Sequence, residues 1–425
     1  MPDSNNYILM LGCFDTKGEV FFFLRECLLS QGERVIALNT GVMGTTAYFP
    51  VDVEADQVAA EAGTTLAALR EKADRGHAVE MMGKGAALTV AKLVAEGGMK
   101  AAIGMGGGGG TYMALSAMQE IPLGVPKLCL TTLAAQDLTR QMSSKDITLM
   151  PSVVDVAGLN SISKKLIRQA AAAIRAMANV PAQVEDVPAG RIAVSMFGNT
   201  TACVDRCSAL LREGGYEVFP FHATGVGGRT MEMLIREGCF DAVLDITTTE
   251  LADEMFGGIL SAGPDRLTAA AETGIPQVVV PGCLDMVNFA QIDTVPVHYR
   301  SRELYSWAPD VTLMRTNKDE NRLLGQRLAQ KVNQSQAGAA ILLPLRGISQ
   351  IDAEGGVFYR PEADKELFEA IKKQVQKPVQ VIDVNAHIND PAFAEKAVET
   401  LLDLLGKARV DALIRKNKPV PTIIK

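Results

Sequence analysis

The chain has 425 residues, of which 48% are apolar and 5% aromatic, and it carries a net charge of −7. That length exceeds what one hydrophobic core supports and points to two domains. The acidic balance argues against nonspecific nucleic-acid binding, and the absence of any 18-residue apolar window argues against a membrane-spanning helix.

Short apolar runs alternate with longer helical patterns, the signature of parallel βαβ units. In the first half, strands are predicted near Tyr7–Leu11, Arg34–Leu38, Ala101–Met105 and Lys127–Leu130. Helices are predicted near Lys17–Ser30, Ala55–Ala62, Thr65–Arg75, Ala78–Glu96, Thr111–Gln119 and Ile162–Ala178. The stretch Asn179–Gly190 holds two prolines and no periodicity and reads as a linker. Beyond it, strands are predicted near Ile192–Met196, Glu217–Phe221, Ala242–Ile246, Gln277–Val280, Val311–Met314, Ala340–Leu343 and Val379–Asp383, with a last helix over Pro391–Ala408. The expected fold class is therefore α/β: two Rossmann-like parallel-sheet domains, 1–180 and 190–425, joined by a Pro-containing linker. Residues 8–41 and 192–225 align without a gap, each reading strand, polar turn, helix, strand, then Thr-Gly. This supports a repeated fold unit.

Five consecutive glycines, Gly106 to Gly110, separate a predicted strand from a helix expected to begin at Thr111. A loop without Cβ atoms lets its backbone approach a ligand and visit positive φ. The helix that follows directs unpaired N–H groups and partial positive charge at the loop, so an anion is the natural guest. The next strand ends in Thr131-Thr132 without the acidic residue of a dinucleotide fingerprint, and no G-x-x-x-x-G-K-[ST] is present, which disfavours both NAD and an ordinary P-loop. One or two glycines would suffice for a packing turn.

Open parallel sheets bind ligands beyond the carboxyl ends of their strands. In the first domain those ends offer Asp15, Thr16, Lys17, Gly41, the glycine run with Thr111, and Thr131, a set suited to a polyphosphate. Lys17 would neutralise a phosphate and Asp15 would hold a magnesium water shell; Thr16 reads equally as a helix cap. Asp74-Arg75-Gly76 and Lys84-Gly85 read as a solvated face. In the second domain the strand ends carry Asn199, Thr200, Thr201, His222, Thr224, Thr248, Glu250, Asp285, Asn288, Arg315, Ser349 and His387. Arginine forks suit carboxylates or phosphates, and histidine with a carboxylate suits proton transfer. Thr224-Gly-Val-Gly227-Gly228 with Arg229 forms a second glycine loop entering a helix, placed to cradle another anionic group. The seven cysteines, odd in number and dispersed, read as reduced cytosolic thiols; Cys203 and Cys207 lie one helical turn apart, far from the four histidines, so no structural zinc site is expected.

Several motifs together resemble one family. They are Phe14-Asp-Thr-Lys-Gly-Glu19, Met105-Gly-Gly-Gly-Gly-Gly-Thr111, Val153-Val-Asp-Val-Ala-Gly-Leu-Asn160, His222-Ala-Thr-Gly225, Leu244-Asp-Ile-Thr-Thr-Thr-Glu250, Leu284-Asp-Met-Val-Asn-Phe289 and His387-Ile-Asn-Asp390. Across nearly its whole length the chain looks like a microbial member of the family containing the N-terminal domain of the tomato mosaic virus resistance protein. The resemblance implies a two-domain α/β architecture, ATP and Mg2+ binding, and self-association as a homodimer or higher homo-oligomer. In the plant relative the domain inhibits viral replication by binding the viral replication protein, an activity not carried over here.

Together these readings predict a cytoplasmic, ATP-binding enzyme acting on a small carboxylate- or phosphate-bearing metabolite. The reaction would be phosphoryl transfer or ATP-driven carboxylate activation. ATP–Mg would lie against Gly106–Thr111, Asp15, Thr16, Lys17, Gly41 and Thr131. The substrate would lie in the second domain, with Arg229 and Arg315 as anion clamps, Glu250 and His222 as acid and base, and Asp285, Asn288 and His387 orienting it. A lyase regulated by ATP and a nucleotide-dependent regulatory protein without turnover are the alternatives.

Overall fold

The computed structural model describes residues 6–181 and 188–416. The chain divides into two compact units, Met1–Val184 and Glu185–Lys425. Positions 182–187 of the expected linker lie outside the described residues.

The first unit is a five-stranded sheet of β1 (Tyr7–Gly12), β2 (Val35–Asn39), β3 (Met99–Gly106), β4 (Lys127–Thr131) and β5 (Ile147–Pro151), ordered β2-β1-β3-β4-β5. Every pairing in it is parallel. Along β1, Leu9 and Leu11 join one apolar cluster while Ile8 and Met10 join another. This alternation is why the strand reads as a continuous apolar run: helices cover both faces of the sheet. Helices Phe14–Leu29 and Ser161–Ala178 pack on one face, and Ala55–Glu61, Arg75–Glu96 and Gly108–Met118 on the other. The sequence reading missed β5 because only Ile147 of its five residues is buried, so no apolar run marks it.

In the second unit six strands form a parallel sheet: β6 (Arg191–Met196), β7 (Glu217–His222), β8 (Ala242–Thr247), β9 (Gln277–Gly282), β13 (Ala339–Pro344) and β14 (Gln380–Val384). Their order is β14-β13-β9-β8-β6-β7. Between β9 and β13 the chain makes a separate antiparallel sheet, β10-β12-β11, from β10 (Met286–Phe289), β11 (Leu304–Ala308) and β12 (Val311–Arg315). The segment Val311–Met314, expected in the parallel series, belongs instead to this small sheet. A buried run of β-formers reveals a strand but not its partner.

Counted from the first strand of each unit, both sheets begin with the same neighbour order, β2-β1-β3-β4 and β7-β6-β8-β9. In each, the direction of winding reverses at the first strand. The crevice this leaves lies beyond the carboxyl ends of β1 and β3, and again beyond those of β6 and β8.

Candidate functional site

At the β1/β3 crevice of the first unit a cavity of about 790 Å³ opens, within the size range of small-molecule sites. Asp15, Thr16, Lys17, Gly41 and Gly107–Gly110 all line it. Gly106, Thr111 and Thr131 do not. Thr111 Oγ1 and Thr131 Oγ1 bond each other at 2.6 Å in the buried layer beneath the loop, and Thr132 N–H donates to Gly106 O at 3.3 Å. These two threonines hold the loop rather than face the cavity.

The helix after the glycine run starts at Gly108, three residues earlier than expected, with Gly107 as its cap. Its first i→i−4 bond runs from Thr111 N–H to Gly107 O at 2.8 Å, so the amides of Gly108, Gly109 and Gly110 precede the intrahelical ladder. None of Gly106–Gly110 has positive φ; the expected left-handed excursion does not occur. Packing explains two of the five glycines: a Cβ on Gly106 would stand 2.9 Å from Gly110 Cα, and one on Gly109 3.1 Å from Val79 Cγ2. Around Gly108 nothing lies within 4 Å, and around Gly110 the nearest atom is at 3.7 Å. Glycine costs a helix roughly 1 kcal/mol relative to alanine, and at Gly108 and Gly110 neither sterics nor φ explains that cost.

Opposite the loop, the turn after β1 is built by Asn39 at the end of β2. Its Oδ1 accepts from Phe14 N–H (3.1 Å) and Gly41 N–H (2.9 Å). Asp15 spreads its carboxylate over Thr16 N–H (2.7 Å) and Met43 N–H (2.8 Å). Glycine at 41 leaves room for the Asp15 carboxyl, which a Cβ there would overlap and displace. The helix begins at Phe14, so Thr16 lies in its first turn and is not its cap. Lys17 breaks the helical geometry (φ −130°, ψ 22°) and its Nζ donates to Val156 O at 2.5 Å, tying this turn to the loop after β5.

Arg70, Asp74, Arg75, Thr132 and Asp155 also line it. Asp74 and Arg75, read from sequence as a solvated face, therefore belong to the cavity wall. Asp74 caps the helix Arg75–Glu96 by accepting His77 N–H at 3.0 Å, which starts that helix before the expected Ala78. Arg70 Nε is held by Val42 O at 2.6 Å. Asp155 Oδ1 and Thr132 Oγ1 each lie 3.8 Å from where a Cβ on Gly107 would stand. Asp155 was visible in sequence only within a motif; nothing local in the sequence marks Arg70.

In the second unit the equivalent crevice is filled by the chain itself. Arg266, only 1% exposed, uses all five guanidinium hydrogens there. Asp245 accepts two (2.6 and 2.7 Å), Glu250 one (2.6 Å), Glu232 one (3.2 Å) and Thr247 O one (3.1 Å). Glu250 Oε1 also accepts from Gly225 N–H (2.7 Å) and Gly228 N–H (3.1 Å), and a Cβ on Gly228 would overlap its carboxylate. The second glycine loop thus cradles an anion, and that anion is Glu250. A Gly227 Cβ would collide with His222 O. Glu250, expected as an acid/base group, is a fully buried ion-pair member.

Other expected residues also turn inward. Arg315, 3% exposed, bonds Asp364 (2.7 Å), Asp352 (3.3 Å) and Phe358 O (2.8 Å), leaving it no free face as an anion clamp. Arg229 is exposed and donates to Ser261 O at 2.9 Å. Thr200 Oγ1 meets Thr247 Oγ1 at 2.7 Å, Thr201 Oγ1 turns back to Phe197 O at 3.3 Å, and Thr248 Oγ1 donates to Val280 O at 3.1 Å. Thr224 Oγ1 donates to His222 O at 3.3 Å; the exposed His222 ring lies edge-on to Phe197, centroids 5.6 Å apart. Asn288 donates to Asp253 through its backbone N–H (2.7 Å) and Nδ2 (2.8 Å). Burial pushes the Asp253 carboxyl up to about 8. Asp285, Ser349 and His387 are brought together: Ser349 Oγ donates to Asp285 Oδ2 at 2.7 Å, and His387 Nε2 bonds Ser349 O at 2.9 Å. Among the described residues no helix is long and apolar enough to cross a membrane.

The N-terminal-domain model of the Uncharacterised protein family (UPF0261) matches residues 6–183, and its C-terminal-domain model matches residues 189–405. A UPF0261 protein of Clostridium tetani (strain Massachusetts / E88) is 44% identical over 404 residues, covering 95% of this chain and 100% of that one. One of Rhizobium meliloti (strain 1021) is 42% identical over 399 residues, covering 93% and 98%. The ToMV resistance protein Tm-1(GCR237) of Solanum lycopersicum is 37% identical over 344 residues, which span 79% of this chain and 45% of the tomato protein.

Proposed function

The chain belongs to the uncharacterised protein family UPF0261, and from that premise we propose that its first unit binds ATP–Mg at the β1/β3 crevice. The observation that carries the reading is the pair Gly108 and Gly110, glycines with no internal cause at the mouth of a helix facing the cavity. The amides of Gly108–Gly110 and the helix N-terminus would hold the polyphosphate. Lys17, Arg70 and Arg75 supply positive charge along the wall. Asp15 and Asp155 are the carboxylates placed to orient the water shell of the metal, which usually keeps several waters when it binds with phosphates. When bound, ATP–Mg supplies an activated phosphoryl group.

The protein then acts as a cytoplasmic ATP-dependent enzyme on a small metabolite, with Asp285 and His387 the remaining candidates to position it. A second reading, a nucleotide-dependent regulator without turnover, is favoured by the ion pairing of Glu250 and Arg315, two residues on which acid activation would have rested. Calorimetric titration with ATP in the presence of Mg2+ tests the shared premise, and absence of saturable heat removes both readings. Incubation of ATP–Mg with a panel of small acids, following ATP consumption and acid conversion, separates them. Turnover establishes the enzyme; binding without turnover leaves the regulator.

A further inference from the structure

The second unit gathers more buried carboxyl groups than guanidinium groups around Arg315. Around Arg315 stand Asp364 and Asp352, paired with it directly, and Asp285, whose ionisation feels both Arg315 and Asp364. That is three carboxylates against one cation. Asp352, pushed up to about 9 by burial and by Asp285 and Asp364, keeps its proton at neutral pH.

Asp285 is 0% exposed, and burial pushes its carboxyl up to about 6 against the pull of Arg315 and the Ser349 hydrogen bond, so above that pH it is charged. Its Oδ2 accepts from Ser349, but its Oδ1 has no partner. A second orphan acceptor, Asn199 Oδ1 on a residue 1% exposed, belongs to the same ring of contacts. Asn199 Nδ2 points at Met286 Sδ (3.9 Å), the residue after Asp285, while Asn199 O accepts from Asn389 Nδ2 (3.0 Å). Asn389 N–H donates to His387 Nδ1 (3.1 Å), and His387 Nε2 reaches Ser349 O (2.9 Å). Ser349 Oγ then closes the ring on Asp285. Buried polar atoms are rarely left unpaired, and an unanswered carboxylate oxygen is the costliest kind. Both orphans are oxygens that accept, so their complement is a donor or a cation, not the carboxylate or phosphate expected from sequence.

We propose that the ring around Asp285 and Asn199 binds a monovalent cationic group, either an alkali-metal ion or the ammonium head of an amine-bearing ligand. Hard oxygen ligands suit such a charge. The inference does not depend on nucleotide binding in the first unit.

Thermal unfolding of the full chain at fixed ionic strength tests it. The probes are the chlorides of sodium, potassium, ammonium and methylammonium, with tetramethylammonium as the bulky control. A bound cation raises Tm logarithmically, by about 3–5 °C for each tenfold increase above its dissociation constant. A rise with sodium or potassium identifies the ion; a rise with ammonium or methylammonium alone identifies an amine ligand. The rise should vanish in Asp285→Asn and shrink in Asn199→Ala, the second variant serving if the first does not fold. Equal Tm in all five salts, or a rise that survives both substitutions, overturns the proposal.

Discussion

Replacing Gly108 with alanine should strengthen the fold and weaken the ligand. No atom lies within 4 Å of the new Cβ, and φ at this position is not left-handed. Alanine therefore fits without strain and recovers up to about 1 kcal/mol of helix propensity. The methyl group would stand where a phosphate must approach the Gly108 and Gly109 amides. Losing one hydrogen bond to a charged group costs about 1.5–3 kcal/mol, or roughly 10- to 150-fold in affinity. Calorimetry with ATP–Mg reads the second effect and urea unfolding the first. Gly106→Ala is the contrasting control. Its Cβ would sit 2.9 Å from Gly110 Cα and 3.1 Å from Thr111 N, an overpacking expected to cost about 1–3 kcal/mol of stability. If Gly108→Ala binds ATP–Mg with wild-type affinity, the glycine mouth is not the phosphate site and the reasoning fails. If it loses more than about 1 kcal/mol of stability, the argument from empty space fails as well.

Arg266→Met should destabilise the second unit by about 3–5 kcal/mol, because three buried carboxylates lose their common cation; a urea midpoint close to wild type would refute this. For Asp253, burial raises the carboxyl from 3.8 to about 8. The folded state therefore retains a proton that the unfolded state has released between those values, so this contribution is complete below about pH 4 and is lost as pH rises through about 8. Urea midpoints at low, neutral and alkaline pH should fall accordingly in wild type and flatten in Asp253→Asn. Gly41→Ala should displace Asp15 from Met43 N–H and Thr16 N–H. It should cost about tenfold in the Mg-dependent part of ATP affinity, with metal-free binding little changed in calorimetry run with and without a chelator.

The sequence exposed what is contiguous. Gly106–Gly110 and Asp15-Thr16-Lys17 announce themselves as runs, and the structure brings most of both into one cavity. Isolated partners stayed hidden. Arg266 lies in an irregular stretch with no motif around it, yet gathers Asp245, Glu250 and Glu232 from three different elements. Without it, Glu250 at a strand end looks like a free acid. Arg315 misled in the same way, since Asp352 and Asp364, 37 and 49 residues distant, bind it only through the fold. The strands that escaped notice are short or half-solvated: Met286–Phe289 has four residues, and Leu304–Ala308 has no fully buried one.

The shared strand order of the two sheets also means that one crevice geometry occurs twice under opposite ownership. In the second unit the tenant is a guanidinium delivered by the chain's own loop, so no nucleotide is needed to fill the winding reversal there. In the first unit the same corner is the cavity proposed above for ATP–Mg. Nucleotide concentration would then tune the firmness of one half of the molecule while the other stays indifferent to it, and hydrogen exchange in the two halves would part company as ATP rises.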